Sequence, residues 1–191
     1  MHQRRAICAY TDCRLKIYSL NMNAINEYLE QEPVLKDCVV CYLQHGDQVL
    51  LGVRKTSSTD LGVNRVAGIG GKFEKDETAE QALLREVQEE IGVTLTEFKE
   101  MGRVFFLFPY TPKWNQDVAV YVGAKWDGEP TESDETQPSW FPISDLPFNR
   151  MFVDNQHWVP QVLEGKRVDA IFLYDDNHQI QESRIEFTDP E

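Results

Sequence analysis

Glu86, Glu89 and Glu90 stand at i, i+3 and i+4 within the stretch from Thr78 to Gly92. At roughly 100° per residue of helix they fall within an arc of about 100°, so the three carboxylates share one face. Like charges so spaced destabilise an isolated helix, and a solvated acidic face is the ordinary reading of such a run. A divalent cation reverses the repulsion, because Mg²⁺ takes carboxylate and water oxygens together with substrate phosphates. The residues ahead of the helix favour this second reading. Gly68, Gly70 and Gly71 lie in the run 66–71, where Gly70 and Gly71 would let backbone amides approach a phosphate, and Lys72 adds a positive charge. Arg85 is placed to pair with Glu77 or with one of the three glutamates and so fix its orientation. Together these residues describe a phosphate seat beside a metal seat, with Mg²⁺ the expected ion and Mn²⁺ its alternative.

The helix that must carry the carboxylates is marked at both ends. Thr78 followed by Gln81 fits a capping box, and Asp76 and Glu77 suit the positive end of the helix dipole. Gly92 can stop the helix through a left-handed cap, and Ala79, Ala82, Leu83 and Val87 supply an apolar stripe of helical spacing. Upstream, the apolar runs Val34–Leu43 and Gln48–Arg54 are split by His45-Gly46-Asp47 and predict a hairpin, followed by a polar loop, Lys55–Asn64. Downstream, strands are predicted at Arg103–Phe108, Val118–Trp126, Ser139–Pro142, Ala170–Tyr174 and Gln181–Phe187. A second helix is predicted within Asn155–Glu164, with Gly165 as its cap. Residues 1–32 read as an extension of unknown role, with strand patterns at Arg5–Tyr10 and Leu15–Leu20 and a helical pattern at Ala24–Glu30; residues 33–191 form the domain. Many strands with two or three helices predict an α+β fold, a mixed β-sheet sandwiched between helices.

The whole chain of 191 residues carries a net charge of −13, which argues against passive binding to nucleic acid or to an anionic membrane surface. A small phosphate-bearing partner is compatible with it if a cation stands between. The stretch 71–93 holds seven acids against three bases, and Asp127–Glu135 adds five acids with no base. Cysteines stand at 8, 13, 38 and 41, and no long apolar run follows Met1-His2-Gln3-Arg4-Arg5, so neither a signal peptide nor a membrane span is expected. Cys38 and Cys41 have CxxC spacing inside a strand pattern, where residues three apart point to opposite faces. Buried reduced thiols in a cytoplasmic protein are the expectation.

Gly71, Glu77, Arg85, Glu86, Val87, Glu89, Glu90, Gly92 and Val93 match every defined position of the Nudix box, Gly-x5-Glu-x7-Arg-Glu-U-x-Glu-Glu-x-Gly-U with U aliphatic. The sequence therefore resembles the Nudix hydrolases. That resemblance implies the Nudix fold and Mg²⁺-dependent hydrolysis of a nucleoside diphosphate linked to another group. Further likeness, over about residues 34–187, lies in Gln48–Arg54, Glu132–Glu135, Trp140-Phe141, Leu146-Pro147-Phe148 and Met151–Asn155 with Trp158. These segments resemble the MutT-type branch acting on oxidised purine nucleoside triphosphates such as 8-oxo-dGTP, and imply a nucleoside monophosphate and pyrophosphate as products.

The resemblance also implies roles. Gly71, Glu86, Glu89 and Glu90 hold the metal, and Glu89 or Glu90 acts as the base, with Glu135 next and Arg85 orienting them. Gly70, Lys72 and Arg54 meet the substrate, and Phe152, Asp154, Asn155 and Trp158 meet the base. Three positions depart from the branch pattern: Ala67 stands where the branch has Asn, Asn155 where it has a second acid, and Phe152 where it has Trp. These departures alter the donors and acceptors that read a purine edge. Asp154 and Asn155 can equally serve as a helix N-cap, and Phe152 and Trp158 as core. Two other readings follow from the same residues. Pro109, sixteen residues beyond Val93, has a spacing associated with ADP-ribose hydrolases. A nucleotide-sensing module without turnover would keep the fold, although members of that kind usually lose box glutamates and none is lost here.

Overall fold

Alternating burial along the strands builds one sheet with a helix on each face. The computed structural model describes residues 23–55 and 64–189. The strand patterns at Arg5–Tyr10 and Leu15–Leu20, Cys8, Cys13 and most of the 55–64 loop lie outside the described residues. The elements in chain order are α1 (Ala24–Leu29), β1 (Lys36–His45), β2 (Gln48–Arg54), β3 (Val66–Ala67), α2 (Ala79–Ile91), β4 (Thr94–Leu107) and β5 (Gln116–Asp127). They continue with β6 (Thr136–Pro142), α3 (Asn155–Leu163), β7 (Arg167–Tyr174) and β8 (Ile180–Thr188). The sheet runs β3-β2-β1-β5-β4-β7-β8, with β6 also paired to β2. The β1–β5 and β4–β7 pairs are parallel and the remaining pairs antiparallel, so the sheet is mixed.

In β1, Val39, Cys41 and Leu43 join Ala82, Leu83, Val87 and Ile91 of α2 in one apolar cluster. Tyr42 joins Trp158, Val159 and Val162 of α3 in the cluster on the opposite face, with Val40 packed against it. Each fully buried aliphatic side chain contributes roughly 1.5–3 kcal/mol, so this alternation locks both the register and the helix seats. Cys38 and Cys41 are free and buried, and burial pushes their thiols up to about 11 and about 12. Among the described residues no helix is long and apolar enough to cross a membrane.

Helix α1 lies within the residues set apart above as an extension, and it is docked on the sheet. Asn23 caps it by accepting the Asn26 N–H at 3.1 Å, and Ile25 and Tyr28 bury against Leu107 and Leu173. Asn115, itself buried, donates to the Tyr28 hydroxyl at 3.0 Å.

Several strands run past their expected ends, and two of them, β4 and β6, do so where the sequence carries a signal against a strand. β4 begins at Thr94 rather than Arg103, and its register against β5 shifts at Leu95/Glu97, Glu97/Phe98 and Glu100/Gly102. Each shift breaks the period-two pattern by which a strand is read. β6 begins at Thr136 rather than Ser139 because Pro138, which normally ends a strand, stands opposite Gly52 on a strand paired on one side only.

Candidate active site

The box helix α2 forms as its caps require. Thr78 accepts the Gln81 N–H at 3.2 Å while the Gln81 side chain accepts the Thr78 N–H at 2.9 Å. Gly92 closes the helix with φ 74, in the left-handed region.

Arg85 is the centre of the polar face. Its Nε and Nη2 donate to both oxygens of Glu77 at 2.7 and 2.9 Å, a bidentate pair. Nη1 reaches Glu86 at 2.9 Å and Glu89 at 3.1 Å, and Nη2 also reaches the Lys72 carbonyl at 2.9 Å. One guanidinium thus ties the glycine-rich loop to α2 and holds three carboxylates. Its bond to Glu77 lowers that carboxyl to about 2. The pairing expected of Arg85 with Glu77 or a box glutamate is met with both.

Glu86 and Glu90 are the half-buried members. A Cβ placed on Gly71 would lie 2.4 Å from Glu86 Oε1, so only glycine lets the carboxylate approach the backbone there. Burial raises the Glu86 carboxyl. Glu90 Oε2 accepts the Gly70 N–H at 3.2 Å, and Oε1 accepts the Thr136 hydroxyl at 3.4 Å. Burial pushes Glu90 up to about 7, opposed by the Gly70 amide and reinforced by the negative charge of Glu86. Glu89 is the exposed member of the three, with 60% of its side chain in solvent.

As these side chains stand, no three acidic or other ligating groups among the described residues converge on one point. Arg85 engages Glu86 and Glu89 while Glu90 turns to Gly70. The donor set nevertheless fits a hard divalent cation. It offers carboxylate oxygens from one helix face, two of them strained by burial and mutual repulsion, beside a glycine loop that leaves room for them.

The remaining expected residues divide between two places. Arg54, at the end of β2, is half-buried and exerts an attractive pull on Glu90. Lys72 is exposed, with its carbonyl held by Arg85. The Gly70 amide, expected to face a phosphate, is engaged by Glu90, and the Gly71 carbonyl accepts the Val39 N–H at 2.8 Å. The acidic loop is drawn to the end of α2, where the Thr131 N–H donates to the Ile91 carbonyl at 2.9 Å. Glu135 is exposed, its carbonyl anchored by the Lys55 N–H at 2.8 Å, and it directly precedes Thr136, whose hydroxyl meets Glu90.

Asp154, Asn155 and Trp158 lie at the start of α3, buried to 5% exposure or less. Asp154 holds the N-cap position of α3 without a side-chain capping bond. Its Oδ1 instead accepts the Tyr174 hydroxyl at 2.7 Å, and its Oδ2 accepts Trp158 Nε1 at 2.9 Å and Asn155 Nδ2 at 2.7 Å. Both oxygens are occupied from within, so Asp154 acts as the hub that orients Asn155 and Trp158. Trp158 also packs edge-on against Tyr42, at 5.9 Å between centroids. Phe152 is half-buried under the Arg65 guanidinium.

Sequence reading missed Tyr174, whose ring stacks on Phe108 at 4.4 Å, and Thr136. Tyr174 sits in a strand pattern that reads as core, and Thr136 falls between the acidic run and the expected strand, so no local signal set either apart. Burial and then the Asp154 charge hold the Tyr174 phenol far above its usual range, which keeps it a donor. Tyr174→Phe should therefore leave a buried carboxylate oxygen unpaired and destabilise the protein by about 1–3 kcal/mol in urea unfolding. An unchanged midpoint would mean that Asp154 does not depend on this bond.

The fold and this face define a class. The sequence profile of the NUDIX domain matches residues 34–162, and the chain belongs to the Nudix hydrolase family. Its relatives narrow the placement. The oxidized purine nucleoside triphosphate hydrolase of Danio rerio is 35% identical over 148 residues, covering 78% of this chain and 92% of that protein. That of Mus musculus is 33% identical over 133 residues, covering 70% and 83%. A MutT protein from Bacillus halodurans shares the fold, with a TM-score of 0.67 at 21% identity over 80% of this chain and 98% of its own. Nudix hydrolases cleave phosphoric anhydride bonds and generally use divalent metals.

Proposed function

We propose that this protein is a Mg²⁺-dependent nucleoside triphosphate diphosphatase that converts oxidised purine nucleoside triphosphates to the monophosphate and pyrophosphate, cleansing the cytoplasmic nucleotide pool. The observation that carries this reading is the Arg85 centre, which gathers Glu77, Glu86 and Glu89 beside the glycine-rich loop. It does so in a chain 35% identical to an oxidized purine nucleoside triphosphate hydrolase.

Glu86, Glu89 and Glu90, with the Gly71 backbone, would hold Mg²⁺. When bound, the ion neutralises charge on the phosphate chain and makes water more acidic. The protein's own groups do the rest. Arg85 keeps Glu86 and Glu89 aligned, and Glu77 keeps Arg85 aligned. Glu90, as the carboxylate, accepts the proton of the attacking water, with Glu89 as its alternate and Glu135 next. Lys72 steers the phosphate, Gly70 holds Glu90 through its amide, and Arg54 balances the charge around Glu90. The base lies toward Phe152 and Asn155. Because Asn155 gives its Nδ2 to Asp154, its Oδ1 is turned away from that carboxylate as an acceptor. Such an acceptor suits a purine edge rich in N–H donors, and an 8-oxo purine has gained one at N7.

The test is a panel of 8-oxo-dGTP, 2-oxo-dATP, dATP and ADP-ribose with Mg²⁺. An oxidised purine triphosphate should have the highest kcat/KM, by about tenfold or more over ADP-ribose, as expected when polar groups of the pocket select the base. ADP-ribose turning over fastest, with ribose 5-phosphate as product, would overturn the reading. Tight nucleotide binding without Mg²⁺-dependent hydrolysis would point instead to a sensing module.

A further inference from the structure

Phe152 lies under Arg65, one of a pair of arginines that the chemistry above does not use. Arg65, just ahead of β3, places its guanidinium carbon 5.0 Å from the centroid of the Phe152 ring. Its Nη1 donates to the Met151 carbonyl at 2.8 Å. In return, Arg150 Nε donates to the Asn64 carbonyl at 3.2 Å. Each arginine therefore bonds the backbone of the segment that carries the other, and a reciprocal clasp joins two stretches far apart in sequence.

The clasp sits between the two halves of the site. On one side, Asn64-Arg65 runs through β3 into Gly68, Gly70 and Gly71. On the other, Arg150–Phe152 runs into Asp154 and Asn155. A planar guanidinium can cover a ring with its face while an edge N–H bonds a carbonyl, a combination a lysine ammonium does not reproduce. The half-buried Phe152 ring would otherwise have only part of its surface against the protein to fix its plane.

We propose that Arg65 is a positioning residue: by fixing the Phe152 ring it sets where the nucleobase sits relative to the glycine-rich loop, and so governs nucleotide affinity. This rests on the reading of Phe152 as a base contact. The experiment is steady-state kinetics with Mg²⁺ and 8-oxo-dGTP, or the panel nucleotide that turns over fastest, on Arg65→Gln, Arg65→Lys, Phe152→Leu and the Arg65→Gln/Phe152→Leu double variant. Arg65→Gln should raise KM about five- to tenfold, the scale of a desolvated cation–ring contact, with a much smaller change in kcat. Arg65→Lys should recover part of that loss, and it carries the same test if Arg65→Gln does not fold. In the Phe152→Leu background, Arg65→Gln should add nothing further to KM, because it acts through the ring. Independent, multiplying effects in the double variant would overturn the proposal, as would an unchanged KM in Arg65→Gln and Arg65→Lys while Phe152→Leu raises it. An unchanged KM in Phe152→Leu would instead remove the base-contact reading, and this inference with it.

Discussion

Replacing Glu90 by Gln is expected to lower turnover by about 10³-fold, in the middle of the range for loss of a general base, while making the metal-free protein more stable at pH 8. The two effects share one cause. Burial and the neighbouring Glu86 charge raise the Glu90 carboxyl to about 7, so the folded state binds its proton more tightly than the unfolded chain does. Between the ordinary value of 4.5 and about 7 the native state holds the extra proton, and stability from this group falls as pH rises through that window. Above about pH 7 the full penalty is present, on the order of 3 kcal/mol for a shift of this size. Glutamine is uncharged and escapes it. Thermal melting of metal-free Glu90→Gln should show a higher Tm than wild type at pH 8, and the difference should vanish below about pH 4.5. A lower Tm at pH 8 would show that Glu90 is held by its bonds to Gly70 and Thr136 more than it is strained by burial.

The second large effect belongs to Arg85. Arg85→Gln removes the bidentate bond to Glu77 and the contacts to Glu86, Glu89 and Lys72 together, leaving clustered carboxylates without their counter-charge. Turnover should fall about 10²-fold, the scale on which misplacing catalytic groups acts. Arg85→Lys should rescue little of it, because an ammonium cannot span both oxygens of Glu77 and reach two further carboxylates. Stability changes with the sign opposite to that at Glu90. Arg85 holds the Glu77 carboxyl down at about 2, so this pair stabilises the fold above pH 4.5 and loses its contribution as pH falls toward 2. The Tm difference between wild type and Arg85→Gln should therefore shrink as pH is lowered through that window. A difference that stays constant with pH would mean that packing, rather than the ion pair, sets the loss.

The carboxylate face was legible because it is local. The glutamates at i, i+3 and i+4, the Thr78–Gln81 capping box and the Gly92 cap all act within one helix, where periodicity decides the geometry. The hairpin β1–β2 and the helix α3 were legible for the same reason. What escaped depends on pairing across the sheet. Tyr174 meets Asp154 twenty residues away, and Thr136 meets Glu90 forty-six residues away; the first reads in sequence as one more strand residue and the second as the end of an acidic loop. The Asp154 hub went the same way. An aspartate before a helix reads as a cap or as a ligand contact, and only the three donors that converge on it reveal an internal support. The first half of β4 was hidden by bulges that break its alternation. The Asp154 side thus differs from the carboxylate side in kind, since the hydrogen bonds of Asp154 come from two elements while the three carboxylates share one helix.

The central claim is that a carboxylate helix and its glycine-rich loop cleave the phosphate chain of an oxidised purine nucleotide next to the nucleoside. The most direct measurement is product identity, followed by anion-exchange chromatography after limited turnover of 8-oxo-dGTP with Mg²⁺, for wild type and for Glu90→Gln. Wild type should give 8-oxo-dGMP and pyrophosphate in equal amounts, and Glu90→Gln should give almost none of either. Orthophosphate with the diphosphate as product, or equal turnover by the two proteins, would contradict the account.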